Sequence, residues 1–142
     1  MCLITNHRAE DIVFICENNH PLAEKTVTFD DLKLENFITT EPDCGYRAIL
    51  SRQLLNHGHK LNPVMWFDNA EAIKECVKSG MGISYLPKMA VIEDIRASKL
   101  KPIYVTEKFD TEIRLQSIIH HLKWSGPALK AFQETIKESF SD

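Results

Sequence analysis

An α/β fold with mainly parallel strands is expected for this sequence, on three observations. Short apolar runs alternate with amphipathic stretches along nearly the whole chain, the pattern of strands linked by right-handed helical crossovers. Residues that cap and stop helices stand at the joints: Asn69, Gly80 and Pro87. The run DIVFICE (11–17) holds five consecutive apolar residues, as a strand covered on both faces does.

After DIVFICE, ENNHPLAEK reads as a connection and DDLKL as a short helical turn. ENFITTE (35–41) is the second expected strand. A helix over Gly45–His57 follows, with Tyr46, Ile49, Leu50 and Leu54 on one face. LNPVMWFD (61–68) is a third strand. Asn69 caps the helix AEAIKECVKSG, whose inward stripe is Ile73, Cys76 and Val77, and Gly80 ends it. GISYLP (82–87) is a short strand, and Pro87 suits the first turn of the next helix, KMAVIEDIRAS. LKPIYV (100–105) and the alternating TEIRLQSIIHH (111–121) are strands, the latter with Ile113, Leu115 and Ile119 on one side. GPALKAFQETIKESF ends the chain as a helix striped by Leu129, Phe132, Ile136 and Phe140.

The 142 residues amount to one domain's worth of chain, 44% apolar and 26% charged, with a net charge of −3. Lysines and arginines are scattered among acids, which makes a poor DNA-contacting surface. The four cysteines, at 2, 16, 44 and 76, form no CxxC and match no zinc spacing. Cys16 and Cys76 read as small core residues. A reducing compartment fits this usage, with two disulfides as the alternative. The N-terminal residues lack a signal-peptide pattern and no run approaches membrane-spanning length.

In open parallel sheets, ligands sit beyond the carboxyl ends of the strands, at the N-termini of the following helices. TTEPDCG (39–45), DNAE (68–71) and YLPK (85–88) are expected on that edge. Helix N-termini offer free N–H groups and partial positive charge. The mouth should favour a small anion or polar group held by Thr39, Thr40, Asn69 and backbone amides. Each has a plainer reading: Asn69 as a cap only, the threonines as ordinary strand residues. Glu41 and Asp43 would repel an anion unless they pair with Arg47 or point away. Cys44 at a helix start could be reactive, but no base is evident nearby in sequence. His120 and His121 face opposite sides of a strand and would not share a metal. His57-Gly58-His59 reads as a solvated turn. SGMGISY is only superficially a nucleotide fingerprint, since its glycines precede a strand.

The order HPLA (20–23), FITTEPDCGYRAIL, then FDNAEAIKECVKSGMGISYLPKMAV resembles the effector-binding domain of LysR-type transcriptional regulators. EAIKECVKSGMGISYLP is its most specific part, and Glu41, Cys44, Tyr46 and Arg47 match a pattern found in a subset of that family. The resemblance implies an α/β, periplasmic-binding-protein-like (type 2) two-lobed effector domain, with the second lobe complete and the first partial. Residues 22–107 would be the second lobe. Residues 1–21 and 108–142 would be parts of the first, the latter its return strand and C-terminal helix. It implies effector contacts from Thr39, Thr40, Cys44, Asn69, Leu86 and Pro87, with Tyr46 and Arg47 bracing the helix. No catalytic residue, metal or cofactor is implied. The implied partners are a small-molecule effector, expected to be an anionic metabolite, and a second copy in a homodimer or higher oligomer. DNA would be contacted only through an N-terminal winged helix-turn-helix that these residues do not include. A cytoplasmic location follows, without membrane contact. Two other readings compete: a solute-binding domain of a transporter, and an enzyme using Cys44 as nucleophile.

Overall fold

The apolar run at 11–17 is the end of a much longer strand. In the computed structural model, which describes residues 1–108 and 112–140, β1 spans Cys2–Cys16. Its polar first half carries no apolar alternation and gave no strand signal. The chain divides by its contacts into two compact units, Met1–Glu10 with Glu112–Asp142, and Asp11–Thr111. β1 contributes to both.

The larger unit begins with the second half of β1. Ile12 to Ile15 pair antiparallel with β5 (Ser84–Pro87), and Phe14 to Cys16 pair antiparallel with β6 (Lys101–Val105). The expectation of mainly parallel strands is corrected here: β1 runs antiparallel to both β5 and β6. No βαβ crossover delivers it, so nothing imposes a parallel orientation. β2 (Thr26–Val27), too short to show a pattern in sequence, adds parallel to β6. The strand order is β2-β6-β1-β5, with β7 (Glu112–His120) also paired to β1.

β3 (Ile38–Thr40) and β4 (Met65–Phe67) form a parallel pair. A parallel bridge between Phe37 and Ile83 joins them to the approach to β5. There Ile38 N–H donates to the Ile83 carbonyl at 2.9 Å and Ile83 N–H to the Asn36 carbonyl at 2.8 Å. Gly82 permits this approach, because a Cβ on it would lie 2.3 Å from the Asn36 oxygen.

α1 (Phe29–Leu32) is one turn held by a capping box between Thr28 and Asp31. α2 (Gly45–Asn56), α3 (Ala70–Lys78) and α4 (Lys88–Arg96) each follow a strand of the parallel set. The periodicity of α3 selects Ile73 and Val77 as its buried residues, while Cys76 is half-buried. On α2 only Leu50 and Leu54 are buried, with Tyr46 and Ile49 partly covered. The core gathers Ile15, Ile38, Ile73, Val77, Leu86, Val91 and Leu100. Lys74 and Lys78 of α3 both reach Asp94 of α4, at 2.8 and 2.7 Å, a clamp across two helices.

In the smaller unit, His7 Nε2 meets Ser117 Oγ at 2.7 Å and the Gln116 amide donates to Asn6 Oδ1 at 2.6 Å. α5 (Pro127–Ser139) carries the expected stripe, but no residue of it is buried. Leu115, on the apolar side of β7, is exposed too. The expected strand start at Thr111 and the last two residues lie outside the described residues.

Candidate functional site

Three parallel strands place three helix starts on one edge. β3, β4 and β5 point the same way, through the β3–β4 pairing and the Phe37–Ile83 bridge. Their carboxyl ends lead into α2, α3 and α4. The loops 40–45, 67–70 and 87–88 therefore share the edge where ligands bind in parallel sheets.

Thr39 and Thr40, on β3, are only 4% and 6% exposed. Neither hydroxyl finds a hydrogen-bond partner among the described residues. Buried hydroxyls are nearly always satisfied in native proteins, so two adjacent orphans are informative. Ser84 on the neighbouring strand shows the ordinary case: its buried hydroxyl donates to the Ile38 carbonyl at 2.7 Å. Glu41 Oε2 is likewise sealed from solvent and without a partner among the described residues.

Cys44 is the N-cap residue of α2 and makes no side-chain cap hydrogen bond. Burial, and then a hydrogen bond with the Cys44 thiol, push the Tyr46 phenol above its ordinary pKa. Arg47 donates from Nη1 to the Thr40 carbonyl at 2.7 Å, tying the first turn of α2 to the end of β3. Among the described residues, no ion pair joins Arg47 to Glu41 or Asp43. Asn69 is exposed and accepts from Ala72 N–H at 2.8 Å, a cap in the ordinary sense. Pro87 ends β5 and is the N-cap of α4, one position before the expected first turn. Leu86 is fully buried and its side chain belongs to the core, so it can offer the mouth only its backbone.

The structure thus brings Thr39, Thr40, Cys44, Asn69 and Pro87 to one edge of the sheet. The sequence offers Glu41 as a source of repulsion, as a partner for Arg47 and as part of the family pattern, but not among the effector contacts. The sealing of one Glu41 carboxylate oxygen has no sequence signal, because Glu-Pro-Asp reads as a polar turn. A separate groove of about 460 Å³ lies along residues 12–14 and 102–108 of the larger unit. Its lining is mainly apolar and holds none of the orphaned polar atoms. The four cysteines are unpaired, and burial raises the Cys16 thiol to about 12. Among the described residues, no three metal-ligating side chains cluster and no helix is long and apolar enough to cross a membrane.

The fold is that of an α/β domain of the periplasmic-binding-protein-like kind. The profile of the LysR substrate binding domain matches residues 6–141, and the chain belongs to that family. An uncharacterized HTH-type transcriptional regulator of Bacillus subtilis, YwqM, is 35% identical over 132 residues, covering 92% of this chain and 44% of that protein. The regulatory domain of Synechocystis CcmR, solved in complex with 2-PG, superposes with a TM-score of 0.85 at 23% identity, over 99% of this chain and 68% of that one. The effector-binding domain of QuiR, in complex with shikimate, gives 0.78 at 20% identity, over 98% and 65%. These two structures bear on the fold alone. The chain spans less than half the length of the Bacillus relative. The transporter reading finds no support, since the matching family is that of LysR and the Bacillus relative is a transcriptional regulator.

Proposed function

We propose that this chain is the effector-sensing part of a LysR-type DNA-binding transcriptional regulator. A small molecule would sit at the carboxyl edge of β3 to β5, held by Thr39, Thr40, Cys44, Asn69 and Pro87, with Leu86 setting the backbone. The two buried, unpartnered threonine hydroxyls carry this reading, for a ligand would satisfy what the protein leaves open. Residues 22–107 would act as the second lobe, and residues 1–21 and 108–142 as parts of the first. Bound effector would shift the intact regulator between pre-existing conformations, through differential affinity for them. The regulator would work as a homodimer or higher oligomer in the cytoplasm, where its DNA is, and contact DNA through its N-terminal part. It would act by binding rather than by catalysis, in keeping with its regulator relatives.

The test is Thr40→Val in the intact regulator, with effector response and denaturant midpoint both measured. Loss of response with an unchanged midpoint supports the site. An unchanged effector affinity removes it.

A further inference from the structure

α3 and α4 share a cluster of charge that is largely withdrawn from water. Lys74 is only 6% exposed. Its Nζ lies 2.8 Å from Asp94 Oδ2, and Lys78 Nζ lies 2.7 Å from Asp94 Oδ1. Both oxygens of one carboxylate are thus taken by two lysines of the neighbouring helix. Glu71 and Glu75 hold the same lysines from the solvent side, at 2.8 and 2.9 Å. Those two acids are largely exposed, so they orient the ammonium groups and contribute little energy.

A buried network of this kind is a poor source of stability. Taking the charges out of water offsets much of their attraction, and apolar residues of like volume often serve as well or better. What the network does supply is position. Lys74 and Lys78 stand one turn apart, about 6 Å along α3. If α4 slid by a turn, one lysine would lose its carboxylate. Apolar packing imposes no such condition, because it is non-directional. It is also thin on α4, where Val91 is the one buried residue. α3 by contrast packs on β3, β4 and β5, and Ile73 and Val77 root it in the core. α3 is therefore the fixed reference, and α4 the helix whose place has to be set.

Both helices begin at the mouth. Lys74 follows the N-cap Asn69 by about 8 Å of helix, and Asp94 follows the N-cap Pro87 by about 11 Å. We infer that Lys74, Lys78 and Asp94 are positioning residues: they set α4 along α3, and with it the spacing of the two helix starts that flank the effector. This rests on reading the carboxyl edge of β3 to β5 as the effector site. The three act through the helices and make no contact with the ligand.

The test uses this chain without ligand. Lys74→Met, Lys78→Met and Asp94→Leu, made together, replace the network by apolar side chains. The urea midpoint should stay at or above that of the parent. The backbone amide peaks of residues 88–91 in a nitrogen–proton correlation spectrum should broaden or split, while those of α1 stay in place. Asp94→Asn alone should move the same peaks. Asn69→Ala, which also lowers stability, should leave 88–91 where they are. Single, unshifted peaks at 88–91 in both Asp94→Asn and the triple variant would overturn the inference. So would a triple variant that unfolds well below the parent, since the network would then hold the fold itself. An equal shift of 88–91 in Asn69→Ala would overturn it too, as an effect of stability alone. Because no ligand is present, each of these results leaves the effector site standing. An unchanged effector response of Thr40→Val would remove that site and leave the geometry of the clamp intact.

Discussion

Replacing Thr40 by valine removes a hydroxyl that no protein group uses and keeps the side chain's shape. Stability should change by less than about 0.5 kcal/mol, since an unsatisfied buried group is lost rather than created. Urea denaturation of the variant checks this, and a loss above 2 kcal/mol would mean the hydroxyl is structural. Asp94 presents the opposite case. It is nearly buried and accepts from Lys74 and Lys78, whose hydrogen bonds hold its carboxyl below the ordinary carboxylate range. Asp94→Asn should cost about 2 kcal/mol, the worth of hydrogen bonds between charged groups. The folded-state pKa is depressed, so this contribution is complete above the unfolded value of about 4. It disappears as pH falls through the folded value. Denaturation curves of the two proteins should therefore converge in acid, and a gap that persists at the lowest pH would exclude this linkage.

At the level of the elements, helix starts and one glycine set the shape of the candidate site. Asn69→Ala removes the acceptor for Ala72 N–H and should cost about 1 kcal/mol, read as a shift in denaturant midpoint. Gly82→Ala would drive a Cβ into the Asn36 carbonyl that Ile83 N–H bonds. Relieving that clash separates β3 from β5, so about 1–3 kcal/mol should be lost, together with ligand binding. If Gly82→Ala binds and unfolds like the parent, the bridge does not position the mouth. Ile73→Asp would bury an unpaired charge in the core and should unfold the larger unit outright, visible as loss of far-UV circular dichroism.

The two units differ in what holds them. Every buried apolar side chain among the described residues belongs to the larger unit. The smaller unit leaves Trp124 80% and Phe132 61% exposed, with Ile118 and Leu122 also open. Apolar area left in water on this scale drives association. The chain should self-associate as concentration rises, measurable by light scattering, and a monodisperse monomer at high concentration would refute this. Amide exchange should be slow in β5, β6 and α3 and fast throughout α5, because protection follows buried contacts.

The alternation of elements, their caps and the order of motifs were legible in the chain because they depend on local spacing. Ile73 and Val77 follow from helical period, Asn69 and Gly80 from backbone chemistry, and the three loops of the mouth from the strand–helix order. The polar half of β1 and the two-residue β2 were not legible, since neither carries a pattern apart from its partners. The orientation of β1 was hidden for the same reason: pairing joins residues some seventy positions apart. Nor could spacing tell that Leu86 turns into the core, that Arg47 bonds Thr40 rather than Glu41, or that one Glu41 carboxylate oxygen is sealed without a partner among the described residues. Burial and hydrogen bonding are properties of neighbours brought together by folding. The α/β class could be read from periodicity and the kind of domain from its resemblance to a family, and the burial of Thr39 and Thr40 without partners only from the packed structure.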